Sequence, residues 1–164
     1  MTMKKYSINI NKYVLSIIYT NLDIEEKEFN KTLTREECLF IRSRVKVIDD
    51  CVIYFKQIRN PNLQTFKEFY QEVLIHSKNF HYLFLIIDAN IMNKRPSPKE
   101  RLVSQILFNE IPNLHSIHII TTSRFTRSLL KFIFNRRIIV PVNVYENLED
   151  VIINLNKLKE ENGC

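Results

Sequence analysis

Two apolar segments of this chain, YLFLIID and SIHIIT, end in and are followed by polar and cationic side chains. Together these side chains could hold an anion. The candidate residues are Asp88, Asn90, Lys94, Arg95, Thr121, Thr122, Ser123 and Arg124. In open α/β sheets, ligands bind beyond the carboxyl ends of parallel strands, and helix N-termini beside cations hold phosphate or carboxylate groups. The same residue types also form turns and helix caps. The sequence therefore leaves a ligand-binding role and a structural role open.

Ser97 is both a candidate phosphorylation site and a candidate helix cap. It precedes Pro98, and Glu100 stands three residues after it. Serine at the N-cap, proline at N1 and glutamate at N3 together predict a helix that begins here with a capping box. A phosphate at this position is compatible with the helix dipole, so the fold should tolerate it.

Basic residues recur at helical spacing in the second half of the chain. Arg124, Arg127 and Lys131 share one helix face at i, i+3 and i+7, and Arg136 and Arg137 follow. With the aromatic residues between them, they predict a basic amphipathic surface for an acidic protein, a lipid headgroup or RNA. The alternative is a helix with an ordinary solvated basic face.

Gly163 is the only glycine in the 164 residues. Walker loops and dinucleotide fingerprints need glycine because backbone amides must approach phosphate closely, often at positive φ. Kinases of the Gly-rich-loop type, P-loop enzymes and Rossmann oxidoreductases are therefore excluded. We expect no cofactor.

The sequence contains no recognisable metal-binding or catalytic motif. The three cysteines, Cys38, Cys51 and Cys164, include no CxxC pair, so neither zinc nor a redox couple is indicated. His115 and His118 are three apart near a predicted strand, where odd offsets point to opposite faces. The sequence shows no recognisable Ser-His-acid grouping and no carboxylate pair. We therefore expect that the protein has no catalytic residue and is not an enzyme.

Composition predicts one globular domain. Hydrophobic residues make up 45% of the chain and charged residues 26%, as in globular proteins. The net charge of +6 permits an acidic partner, a nucleic acid or an anionic membrane, or simply a lysine-rich surface. No signal peptide and no membrane-spanning run is evident. We expect a soluble cytoplasmic protein with reduced thiols.

The hydrophobic pattern predicts an α/β fold after residue 43. Strands are expected at 44–48, 51–58, 82–88, 116–121 and 140–145, and helices at 63–77, from Ser97-Pro98, at 124–134 and at 148–159. This β-β-α-β-α-β-α-β-α order predicts a mixed, mainly parallel sheet flanked by helices, with 82–88 near its centre. Residues 1–43 form a predicted extension, with a strand at 13–20 and a short helix from a Thr34–Glu37 capping box through Ile41. The extension could add an edge strand or dimerise the protein.

Four segments in the second half resemble those of a known superfamily: LFLIID, KRPSPKE, IHIITTS and VYENLED. They are similar to a strand end, a helix opening, a strand with its turn, and the final strand of STAS domains, of the anti-sigma-factor-antagonist and STAS/SEC14-like types. The resemblance covers about residues 44–160 and implies a STAS-like domain with a non-catalytic role. In antagonist relatives a partner kinase phosphorylates a serine at the start of the second helix, which corresponds to Ser97. Their DSSG motif is absent here.

Together these observations predict a bacterial, non-enzymatic regulatory module that binds a protein partner such as a kinase or an anti-sigma-type regulator. Two alternatives remain. One is a domain that binds a small anion, nucleotide or lipid at the carboxyl rim, and the other is an adaptor that uses its basic helix on membranes or RNA.

Overall fold

The computed structural model describes residues 26–92, 96–124, 126, 127 and 139–164. In chain order its elements are α1 (Glu26–Phe29), α2 (Arg35–Arg42), β1 (Val45–Val47), β2 (Val52–Lys56), α3 (Leu63–Ser77), β3 (Leu83–Asp88), α4 (Pro98–Asn109), β4 (Leu114–Ile120), β5 (Val142–Tyr145) and α5 (Leu148–Asn162).

The described strands form one sheet in the order β1-β2-β3-β4-β5. β1 and β2 are antiparallel and are joined by a turn that contains Asp49 and Asp50, whereas every other neighbouring pair is parallel. Aspartate suits such a tight turn. The predicted fold class, a mainly parallel mixed sheet flanked by helices, is confirmed, and so is the central place of β3.

Two hydrophobic clusters lie on opposite sides of the sheet because side chains alternate along each strand. Leu85 of β3 belongs to the larger cluster, where Phe55 stacks on Phe69 of α3 at 4.0 Å between ring centroids. Phe84 and Ile86 belong to the smaller cluster, beneath α5. A strand covered on both faces must be apolar throughout, which explains the LFLII run.

Short-range signals set where the helices start. Thr34 caps α2, Asn62 caps α3 and Ser97 caps α4, each through a capping box. Asn147 caps α5, and Gly163 ends that helix at φ 73°. The capping boxes predicted at Thr34 and Ser97 and the cap predicted at Asn147 are confirmed.

Residues before position 44 also contribute to the core. Phe29 and Ile41 are 1% and 2% exposed and lie in the larger cluster. The Arg42 Nε atom donates to Glu68 Oε1 on α3 at 2.7 Å. The boundary after residue 43 remains a prediction about independent folding, and the strand predicted at 13–20 lies outside the described residues.

A β-bulge at the start of β4 departs from the expected alternation. Leu83 pairs with Leu114 but Phe84 pairs with Ser116, so His115 is an extra residue. The His115 ring contacts Phe84, with 5.3 Å between centroids. His115 therefore lies on the α5 side together with His118, and the expectation of opposite faces is wrong. β4 also begins two residues earlier than predicted, and α5 continues to Asn162 rather than ending at 159.

Candidate functional site

Three of the predicted rim residues meet at the carboxyl edge of the sheet. Asp88 ends β3 and accepts two hydrogen bonds, from the Tyr54 hydroxyl at 2.9 Å and from the Asn90 backbone N–H at 3.0 Å. Asn90 Oδ1 in turn accepts the Thr122 N–H at 2.8 Å. These bonds tie the loop after β3 to the loop after β4.

The rim after β4 is organised as a helix cap. Ser123 Oγ accepts from the Thr126 N–H at 3.2 Å and from the Thr126 hydroxyl at 2.9 Å. The Ser123 N–H points at Thr121 Oγ1 at 3.4 Å, and Arg124 and Arg127 are helical. An anion at this helix N-terminus would need backbone donors that already have protein acceptors. The observed bonds therefore favour the structural role that the sequence left open.

The described part of the basic surface is engaged in an ion pair. The Arg127 guanidinium lies 2.9 Å from Glu146 Oε1, just after β5. This hydrogen bond holds the pKa of the Glu146 carboxyl below its usual value. Arg124 is exposed and helical. The other basic candidates, Lys94, Arg95, Lys131, Arg136 and Arg137, lie outside the described residues.

Ser97 caps α4 as predicted. Its Oγ accepts the Glu100 N–H at 3.2 Å, and its own N–H donates to Glu100 Oε2 at 2.6 Å. The side chain is half-buried. A phosphate at Ser97 would stand beside the Glu100 carboxylate, so modification would have to displace that half of the capping box.

A chain of four polar side chains runs beneath α5, and sequence reasoning missed it. Ser116 Oγ lies 2.8 Å from His118 Nε2, and His118 Nδ1 lies 3.1 Å from the Tyr145 hydroxyl. Tyr145 donates to Asn154 Oδ1 of α5 at 2.9 Å. Because the Tyr145 hydrogen goes to Asn154, its oxygen accepts from His118 Nδ1–H, and His118 Nε2 accepts from Ser116.

The Ser116–His118 contact has the spacing of a nucleophile and its base, but its burial prevents catalysis. Ser116 and His118 are 2% and 0% exposed, so a substrate carbonyl cannot reach the hydroxyl. Burial, with a smaller effect from His115, lowers the pKa of His118 to about 4 and keeps the ring neutral. The row of hydrogen bonds gives each of these buried polar side chains a partner, which is a structural role. One signal could have found it: two polar residues two apart in an apolar strand share a face.

A second unpredicted cluster joins the β1–β2 turn to the end of α5. Asp49 Oδ1 accepts from the Cys51 N–H at 3.0 Å and from its thiol at 3.4 Å, and Lys159 pairs with the other carboxylate oxygen. Asp49, Asp50 and Cys51 also offer ligand atoms within 4.8 Å of one another, but Lys159 already neutralises Asp49, so we assign no metal to them.

Three large apolar side chains are exposed in the N-terminal half of α5. Leu148, Ile152 and Ile153 are 45%, 47% and 70% exposed, whereas Val151 and Leu155 are buried against the sheet. Leu148 and Ile152 are one turn apart on the same side of the helix, and Ile153 follows Ile152 in sequence and points about 100° farther round the helix. We call these three residues the α5 patch.

Comparison with protein-family models, curated proteins and solved structures finds no match for this chain. The resemblance to STAS domains therefore remains a prediction, although the fold is compatible with it. Within the described ranges, no helix combines the length and the apolar character that crossing a bilayer requires.

Proposed function

We propose that this chain is a non-enzymatic regulatory module that binds a protein partner through the α5 patch. The observation that carries the proposal is the exposure of Leu148, Ile152 and Ile153 on a helix that buries Val151 and Leu155 against the sheet. Isolated exposed aliphatic residues are ordinary, but adjacent ones on a rigid element are typical of interaction surfaces.

The polar groups near the patch support a binding role over a catalytic one. The Ser116–His118 pair is buried under α5. The side chains of Asp88, Asn90 and Ser123 accept hydrogen bonds from backbone N–H groups of loops and of a helix start. A reaction or a small anion would need such groups to face a ligand. Among the described residues, the α5 patch is one of several places where large apolar side chains are left exposed, and Ile153 is among the most exposed of them.

The charges around the patch indicate the character of the partner. Glu149 and Asp150 lie in the first turn of α5. In the sequence they stand between Leu148 and the other two residues of the patch. A partner with an apolar contact surface edged by lysine or arginine would complement this arrangement. The STAS resemblance supports the same general role, with a kinase or an anti-sigma-type regulator as the class of partner.

Site-specific photocrosslinking in the native cells tests the proposal. A photoreactive residue at position 153 should capture a discrete protein, whereas the same residue at Glu161, which is exposed about two turns beyond the patch on α5, should not. With the captured protein purified, Ile153→Asp should weaken binding about tenfold or more, and Glu161→Gln, at an exposed position near the other end of α5, should change it little.

Two results would contradict the proposal. One is a captured partner that binds wild type and Ile153→Asp equally. The other is the absence of any capture together with saturable binding of inorganic phosphate to the purified protein, which would instead support the anion-binding alternative at the rim.

A further inference from the structure

We propose that an exposed basic corner of the sheet binds single-stranded nucleic acid. The basic corner consists of Lys46 on β1 and of Tyr54 and Lys56 on β2. Lys46 pairs with Tyr54 across the two antiparallel strands, and Lys56 lies two residues beyond Tyr54, so all three side chains share one face. None of them belongs to the α5 patch or to the predicted basic helix, and the inference stands apart from the proposed function.

The basic corner lies on the side of the sheet that carries α5, in a part that α5 does not cover. Of the described helices, α5 contributes residues to the smaller hydrophobic cluster on this side, whereas residues of the other four lie in the larger cluster. α5 begins just after the carboxyl end of β5, and near its other end Lys159 pairs with Asp49 in the β1–β2 turn. The helix therefore runs toward the amino end of β2, and Lys46 and Lys56 are left exposed.

Positive charge dominates the basic corner. Among the described residues, neither Lys46 nor Lys56 takes part in an ion pair. Arg44 adds a third cation next to Lys56, because the Lys56 N–H donates to the Arg44 carbonyl at 3.1 Å. The Arg44 guanidinium lies 4.7 Å from the centroid of the Phe40 ring. Asp88 is the acidic neighbour of Lys56 in the sheet register. Three cations beside one carboxylate leave a surface that attracts a polyanion.

Tyr54 supplies an aromatic ring between the two lysines, and its position is fixed. The side chain is partly exposed and packs against the smaller cluster, and its hydroxyl donates to Asp88 Oδ2 at 2.9 Å. In single strands, bases stack on aromatic side chains while neighbouring cations contact the phosphates. In a duplex the bases stack on one another instead, so the basic corner suits a single strand. A membrane-binding surface would instead combine its cations with exposed apolar side chains.

Fluorescence anisotropy of the full chain with labelled oligouridylate and oligothymidylate, each of about 15 nucleotides, tests the inference. The two probes distinguish RNA from DNA. We expect a dissociation constant of about 1–100 µM at about 50 mM salt. Each phosphate contact to a single strand contributes about −0.7 to the slope of log affinity against log salt concentration, so two or three contacts should give a slope of about −1.4 to −2.

Removing the two lysines of the basic corner should weaken binding more than removing two lysines elsewhere. The Lys46→Gln/Lys56→Gln variant should bind at least about tenfold more weakly at low salt, with a slope shallower by about 1.4. The matched control, Lys31→Gln/Lys78→Gln, removes the same charge at exposed positions. Lys31 follows α1 and Lys78 ends α3, and both helices pack on the opposite side of the sheet. The control should bind less than about threefold more weakly than wild type.

Variants at Tyr54 test stacking separately from charge. Tyr54→Leu should bind about fivefold or more weakly with an unchanged salt slope, whereas Tyr54→Phe keeps the ring and should bind like wild type. Ultraviolet crosslinking of wild type to oligouridylate should label the tryptic peptide 47–56, which contains Tyr54. This measurement needs no variant, so it decides the matter if Tyr54→Leu does not fold.

Three results would overturn the inference. The first is the absence of binding to both oligomers at low salt, including the case in which phosphatidylserine vesicles bind the protein instead. The second is an equal loss of affinity in the two double-lysine variants, which would show that only net charge matters. The third is a folded Tyr54→Leu protein that binds as tightly as wild type, or a crosslink that does not involve peptide 47–56.

Discussion

Replacing His118 by glutamine removes a titrating group from the buried chain of Ser116, His118, Tyr145 and Asn154 while keeping a polar side chain there. The pKa of His118 in the folded protein is about 4, against a usual value of 6.5. Between these values the unfolded chain binds a proton that the folded protein does not. The stability that His118 contributes is therefore complete above pH 6.5 and is lost as the pH falls toward 4.

The loss of stability can be calculated from the difference between the folded and unfolded pKa values of His118. Two and a half units at 1.36 kcal/mol each give about 3 kcal/mol in total, of which about 2 kcal/mol should be lost between pH 7 and pH 5. Carboxyl groups titrate mainly below about pH 5. The Arg127 hydrogen bond, for example, lowers the pKa of Glu146 from 4.5. Such groups affect wild type and variant alike.

Urea unfolding at a series of pH values measures the effect. The free energy of unfolding of wild type should fall more steeply from pH 7 to pH 5 than that of His118→Gln, and the slopes should differ by the amount above. His118→Gln should also be less stable at pH 7, because the hydrogen bonds to Ser116 and Tyr145 are re-formed imperfectly. Parallel pH profiles for the two proteins would refute the conclusion that His118 is a neutral buried imidazole.

Three further predictions concern stability, each measured by chemical denaturation. Phe29→Ala should cost about 3–5 kcal/mol because the ring is buried, whereas Phe40→Ala, at a half-exposed ring, should cost under about 1 kcal/mol; equal costs would contradict the docking of α1 on the core. Ile86→Asp should prevent folding because it buries an unpaired charge, and Ile153→Asp should fold normally; a stable Ile86→Asp protein would disprove the central position of β3. Ser97→Ala should lose about 0.5–2 kcal/mol through the missing cap, and Ser97→Asp should keep it; an alanine variant of wild-type stability would mean that Ser97 does not stabilise α4.

Features encoded within a few residues were predictable from the sequence. The capping box of Ser97 and Glu100 and the apolar face of α3 depend only on neighbours along one helix. The parallel sheet followed from alternating strands and helices, because such connections are short and right-handed. The bulge at His115 was not predictable, since it depends on how β4 meets β3 rather than on its own composition.

The unpredicted clusters have a different origin. Tyr145 meets His118 and Asn154, and Lys159 meets Asp49, only after the sheet and α5 have packed. Periodicity shows which side of an element is buried, but it does not show which polar group on a distant element will lie opposite. The rim residues illustrate the same limit, because a serine that caps a helix and a serine that binds an anion look alike in sequence.

The order of the sheet has a consequence for synthesis on the ribosome. Each strand pairs with the next one along the chain, so β1 to β5 can assemble in the order in which they emerge. α5 is made after all of them, yet it covers Val52, Phe84, Ile86 and Ile120. Until α5 arrives, the nascent sheet leaves this apolar face exposed to solvent, and exposed hydrophobic surface promotes aggregation and chaperone binding. A ribosome that stalls before residue 148 would therefore hold a sheet with one apolar face uncovered and prone to aggregate. Synthesis of α5 would bury that face.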